Sequence, residues 1–113
     1  PVFQRSGIDL QMELPVSFAK AALGSDVSVP TLTGNVSMKI PAGTQSGKIF
    51  RLREKGMPDL HSGQHGDQYV RVMIQVPTNL SSEQRRILAE YARVSGEDIS
   101  DESFTEKIKK VFK

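Results

Sequence analysis

Cysteine is absent from these 113 residues. Disulfides, thiolate zinc centres and cysteine nucleophiles are therefore excluded, and the composition fits a reducing compartment. Tryptophan is absent too. No run of about 18 apolar residues occurs, so the sequence offers no membrane-spanning helix, and no signal peptide is visible. Excess charge is also missing. The net charge is only +2, too little to argue for a nucleic-acid partner, and the basic residues are scattered except in the tail "EKIKKVFK". What is present, 37% hydrophobic and 25% charged residues, is the make-up of a soluble globular domain. The length exceeds the roughly 70–80 residues below which a core needs staples. The chain starts at Pro1 rather than Met, which reads as a piece of something longer.

Hydrophobic periodicity divides the chain. "DLQMELPV" alternates, with Leu10, Met12 and Leu14 on one face and Gln11 and Glu13 on the other, as in a half-buried strand. "SFAKAALG" gives a short helical face of Phe18, Ala21 and Ala22 and a stop at Gly24. "DVSVPTLTG" is a strand with Val27 and Val29 inward. "NVSMKIP" aligns Val36, Met38 and Ile40. "KIFRLREKG" places Phe50 and Leu52 opposite Arg51 and Arg53. "GMPDLHSGQHGDQ" is a loop. "YVRVMIQVP" is the longest strand, with Val70, Val72, Ile74 and Val76 on one face, and Pro77 ends it. The period then becomes helical. Ser81 and Gln84 form a capping box, Ile87, Leu88, Tyr91 and Val94 make one stripe, and Gly96 stops the helix. After the acidic connector "EDISDES", a last helix starts at Ser103 with Glu106 as a second capping box. The expected fold is mainly β: a small sandwich of about five to six short strands with a short inserted helix, followed by two C-terminal helices. The body covers residues 1–78, the helix of 79–96 packs on or beside the sheet, and 97–113 form the connector and final helix.

The stretch "PAGTQSGKIF" imitates a phosphate loop, but poorly. A Walker pattern needs four residues between Gly and Gly-Lys and then Ser or Thr; here three intervene and Ile49 follows Lys48. The next element alternates like a strand, so no helix N-terminus awaits a phosphate. Gly43 and Gly47 are better read as the positive-φ residues of a turn between two antiparallel strands. His61 and His65 have helical metal-ligand spacing but sit in a Gly-rich loop, so the preferred reading is two exposed histidines and no metal or cofactor. Ser17, Asp9 and His61 show no ordering as nucleophile, base and orienter. No catalytic residue is assigned.

The tail carries more information. Phe104, Ile108, Val111 and Phe112 fall at i, i+4, i+7 and i+8, and Lys107, Lys109, Lys110 and Lys113 load the C-terminal half, which suits the helix dipole. A helix of about ten residues is marginal alone, and fully burying each such apolar side chain is worth roughly 1.5–3 kcal/mol. Residue chemistry allows the helix either to fold back on its own sheet or to dock on another chain. If that chain is a second copy, two-fold symmetry is the default.

Taken together, "FQRSGIDLQMELPVSFAKAALGSDVSVPTLTG", "KIPAGTQSGKIFRLREKGMP", "GDQYVRVMIQVPTNLSSEQRRILAEY" and "ESFTEKIKKVFK" resemble C-terminal domain II of the DnaJ family of J-domain co-chaperones. The match runs nearly end to end. Its most specific features are the order P-A-G-T-Q-x-G-K, R-x-x-G-M-P, G-D-x-Y/L-V and P-x-x-L-S-x-x-Q. The resemblance implies a β-sandwich-like domain followed by a dimerisation helix, with Phe104, Ile108, Val111 and Phe112 as the homodimer contacts. It implies a cytoplasmic, non-enzymatic module of protein folding and the stress response that helps hold unfolded polypeptide clients. Delivery to a DnaK-type chaperone would use other parts of the full-length protein. Two client-binding arms in one dimer gain avidity by effective concentration. The His-Pro-Asp of a J-domain and the Cys-x-x-Cys-x-Gly-x-Gly zinc module are missing, and the family's main client groove lies in domain I. The residues that contact clients within this segment are therefore not assigned. A different reading is a generic interaction domain whose tail helix docks on a different protein.

Overall fold

The structure is a computed structural model that describes residues 2–97. The chain divides into two compact units, Pro1–Pro77 and Thr78–Lys113. In the first, the elements run β1 (Gln4–Ser6), β2 (Asp9–Ser17), α1 (Phe18–Leu23), β3 (Ser25–Thr31), β4 (Gly34–Ile40), β5 (Ile49–Leu52) and β6 (Gln68–Gln75). In the second, the described element is α2 (Ser82–Val94).

β1, β2, β6 and β5 form one sheet in that order, and β3 and β4 form another. The central pair, β2 with β6, is parallel from Leu10↔Gln68 to Ser17↔Gln75. A parallel pair needs a long crossover, and here the crossover consists of α1, the β3–β4 hairpin and β5. Apolar alternation turns one face of each sheet inward. Met12, Val16, Val70 and Val72 from the larger sheet and Val29, Met38 and Ile40 from the smaller one form a single buried cluster with Ala21 of α1. Leu14, Val27, Val36, Phe50, Leu52 and Ile74 pack on its margin. The two strand prolines lie where a missing N–H is tolerated. Pro15 is beyond the end of the β1–β2 pairing, and Pro30 is in the two-stranded sheet, where every strand is an edge.

The mainly-β architecture with an inserted helix agrees with the sequence reading; the second C-terminal helix lies outside the described residues. Several details differ. β1 was not anticipated, because "QRS" has no apolar alternation; it is held by antiparallel pairing to Asp9–Gln11. Val76 lies past the end of β6 and is exposed. The turn expected between two antiparallel strands is also wrong. β4 and β5 belong to different sheets, so "PAGTQSGK" is a crossing between layers. Its positive-φ glycines are present, Gly43 at 83° and Gly47 at 93°.

Hydrogen bonds explain that crossing. Gly43 N–H and Thr44 N–H donate to Ala21 O at 2.9 and 3.2 Å, serving a carbonyl that the end of α1 leaves open. Gly47 N–H donates to Val72 O at 2.7 Å and Val72 N–H to Lys48 O at 2.8 Å. Ser46 Oγ accepts from Ile74 N–H at 2.9 Å. The loop thus caps α1 and extends the edge of β6.

Gln68 is the one fully buried polar side chain among the described residues, at 0% exposure. Its position is two before Val70, on the core face. Its Nε2 donates to Pro30 O at 2.9 Å and to Met12 Sδ at 3.2 Å, tying β6 to β3 across the core.

Candidate interaction surfaces

The glycine-rich stretch that imitates a phosphate loop serves the fold. In "PAGTQSGKIF" the amide groups of Gly43, Thr44 and Gly47 are spent on the fold. His61 and His65 are both exposed. His65 Nδ1 lies 3.3 Å from Gly56 O, and the described residues contain no group of three or more His, Cys, Asp or Glu able to hold a metal. Among the described residues no helix is long and apolar enough to cross a membrane.

The loop before β6 is held by several backbone hydrogen bonds. Pro58 bridges to His65, Gly56 N–H donates to Gly66 O at 2.9 Å and Gly66 N–H to Met57 O at 2.9 Å. Met57 N–H donates to Ile8 O at 2.6 Å, pinning the loop to the start of β2. Asp67 organises the junction. Its Oδ1 accepts from Glu54 N–H at 3.0 Å, and its Oδ2 accepts from Arg51 Nε at 2.7 Å. Its own N–H donates to Asp9 Oδ1 at 2.8 Å. Glu54, held at φ 63°, is in a conformation that non-glycine residues rarely adopt, and the bond to Asp67 supports it. Asp67 stands in the Gly-Asp of the G-D-x-Y/L-V pattern. Sequence reasoning saw the pattern but assigned the carboxylate no role; its place one residue before β6, after two close glycines, was the available signal.

The backbone N–H of Glu54, and then the Arg51 guanidinium, hold the Asp67 carboxyl below the usual carboxylate range. Asp59 is lowered likewise, by His61 N–H and then the Ser62 hydroxyl. A carboxyl with a depressed folded-state pKa stabilises the fold at pH values above its unfolded pKa, about 3.9 for Asp. That contribution is lost as pH falls through the lower folded value. Urea midpoints of the wild-type chain should therefore drop on acidification below about pH 4, and Asp67→Asn should flatten part of that drop. An identical acid slope in the variant would remove Asp67 from the account.

In the second unit, the Ser81–Gln84 capping box is formed on both sides: Gln84 N–H donates to Ser81 Oγ at 3.1 Å and Ser81 N–H to Gln84 Oε1 at 2.8 Å. Gly96, at φ 80°, follows the helix end. The expected stripe is split. Leu88 is half-buried and Ala92 buried, whereas Ile87, Tyr91 and Val94 remain 52%, 58% and 70% exposed. Phe104, Ile108, Val111 and Phe112, the residues expected to dimerise, all lie outside the described residues.

Comparison with known proteins agrees with this division. Residues 1–77 match the family model of the DnaJ C terminal domain, and residues 83–113 match that of the Chaperone protein DnaJ C-terminal region. The first unit is a small two-sheet domain, and the chain belongs to the DnaJ C-terminal domain family. Similar relatives include the Chaperone protein DnaJ of Opitutus terrae, 54% identical over 98% of this chain and 30% of the relative. The Chaperone protein DnaJ of Exiguobacterium sp. is 46% identical over 98% of this chain and 31% of the relative. That of Geobacillus thermodenitrificans is 49% identical over 98% and 30%. The chain therefore spans about a third of the length of these relatives.

Proposed function

We propose that this chain is the dimerising end of a DnaJ-type co-chaperone, acting in the cytoplasm without catalysis of its own. Phe104, Ile108, Val111 and Phe112 pair with the same residues of a second copy. The body supports the holding of unfolded polypeptide clients, which the full-length protein passes to a DnaK-type chaperone. The observation that carries this reading is the match of residues 83–113 to a DnaJ C-terminal family model separate from that of the body. The same segment contains the apolar i, i+4, i+7, i+8 pattern that cannot remain solvated.

Sedimentation equilibrium on the chain with and without residues 101–113 tests it. The expected result is a dimer that becomes a folded monomer on truncation. A full-length chain that stays monomeric at high concentration would favour docking on a different protein instead.

A further inference from the structure

One side chain of the layer crossing is left over by the fold. The amide groups of Gly43, Thr44 and Gly47 are donated to carbonyls. Thr44 Oγ1 donates to Pro41 O at 2.6 Å and Gln45 Nε2 to Gly43 O at 3.2 Å. Ser46 Oγ accepts from Ile74 N–H. Lys48 is different. Its carbonyl accepts from Val72 N–H, but among the described residues no carboxylate lies within ion-pair distance of its ammonium. Strand parity aligns Lys48 with Phe50 and Leu52 on one face, and those two pack on the margin of the core.

A cavity of about 300 Å³ opens at that point. Pro41, Ala42 and Phe50 supply its apolar wall, and Gln45 and Lys48 stand among its polar residues. Small-molecule sites run from roughly 300 to 1,000 Å³ and combine mostly apolar walls with a few placed polar groups. This cavity is at the small end and carries a single charge. Two other occupants fit less well. A phosphate needs a cradle of unengaged N–H groups, and those of Gly43, Thr44 and Gly47 are already bonded. A polyanion needs several cations, and Lys48 is the one charged side chain among the residues that line the cavity.

We infer that this cavity binds a small aliphatic carboxylate, of the short-chain fatty-acid class. The alkyl chain lies against Pro41, Ala42 and Phe50, and the carboxylate accepts from Lys48 Nζ. Apolar walls lower the local dielectric and strengthen such a pair relative to one in open water. The bound ligand bridges the crossing from the end of β4 to the start of β5. Because it binds the folded body and not the unfolded chain, it stabilises that body by mass action. The site needs neither a second copy nor an unfolded polypeptide, so it stands apart from the function proposed above.

The test is an NMR titration of the whole chain with hexanoate. Hexanol and inorganic phosphate serve as probes of the alkyl chain alone and of the charge alone. Hexanoate should give saturable amide shifts centred on Ala42, Gln45, Lys48 and Phe50, and it should raise the urea midpoint. Lys48→Met keeps the aliphatic stem and removes the charge. It should weaken hexanoate about tenfold, which is ~1.4 kcal/mol, and leave hexanol unchanged, whereas Lys48→Arg should retain hexanoate binding. Lys48 is exposed, and spectral dispersion reports whether each variant is folded; Lys48→Gln takes the place of a Met variant that is not. Non-saturating shifts spread over the lysines, equal affinity for hexanoate and hexanol, or phosphate binding at the same amides would each overturn the site. So would full hexanoate affinity in the folded, uncharged variant.

Discussion

Gly66→Ala should destabilise the β body by roughly 3 kcal/mol, at the upper end of ordinary overpacking costs. A Cβ at Gly66 would meet Ile8 O, lie 2.6 Å from Ile8 C and 2.7 Å from Asp9 Oδ1, far inside the 3.5–4.0 Å of normal contact. The obstacle is mainly backbone and cannot swing aside. Moving it would also disturb the bonds of Met57 N–H to Ile8 O and of Gly66 N–H to Met57 O. Against a total stability of about 5–15 kcal/mol, such a loss is large. Gly63, three residues earlier, is the control. A Cβ there meets nothing, but φ is 73°, so alanine should cost only about 1 kcal/mol from its left-handed conformation. Urea denaturation of both variants decides the matter, and equal midpoints would show that the loop is not clamped as described.

Under the dimerising role proposed above, Phe104→Asp and Phe112→Asp should each give a monomer with the β body intact. Burying a Phe is worth roughly 1.5–3 kcal/mol, and two-fold symmetry makes every substitution act twice. The dimer should weaken by about 3 kcal/mol or more, on the order of a hundredfold or greater in Kd. Sedimentation gives the mass, and circular dichroism reports whether the strands persist. An unchanged dimer in both variants would falsify the assignment of the interface.

The difference between these two predictions reflects what a linear sequence displays. Period-two alternation made β2, β3, β4 and β6 readable, because one face of each meets the shared core. The capping box at Ser81 was readable because it is a local chemical pairing. The parallel union of β2 with β6 was not, since alternation states which face is buried but not which strand lies alongside. For the same reason "PAGTQSGK" was misread as a hairpin turn, although its glycines were placed correctly. Gln68 was hidden by its polarity; parity with Val70 and Val72 put it inside, and the acceptor for its Nε2, Pro30 O, is distant in sequence, while its buried Oε1 has no partner among the described residues. The tail is the reverse case: the apolar spacing of Phe104, Ile108, Val111 and Phe112 is plain in the sequence.

The parallel union of β2 and β6 also sets the order in which the domain can be completed during synthesis. Asp9 must reach Asp67 N–H across 58 residues, so the central ladder cannot close until nearly the whole body has left the ribosome. The β3–β4 hairpin, by contrast, joins neighbouring segments and is free to form early. Until Gln68–Gln75 emerge, β2 has only short β1 beside it, and its apolar face has no complete sheet to sit in. Long-range pairing of this kind slows folding. A domain of a chaperone-named family thus passes through a stage in which its own central strand is an exposed, unfinished edge.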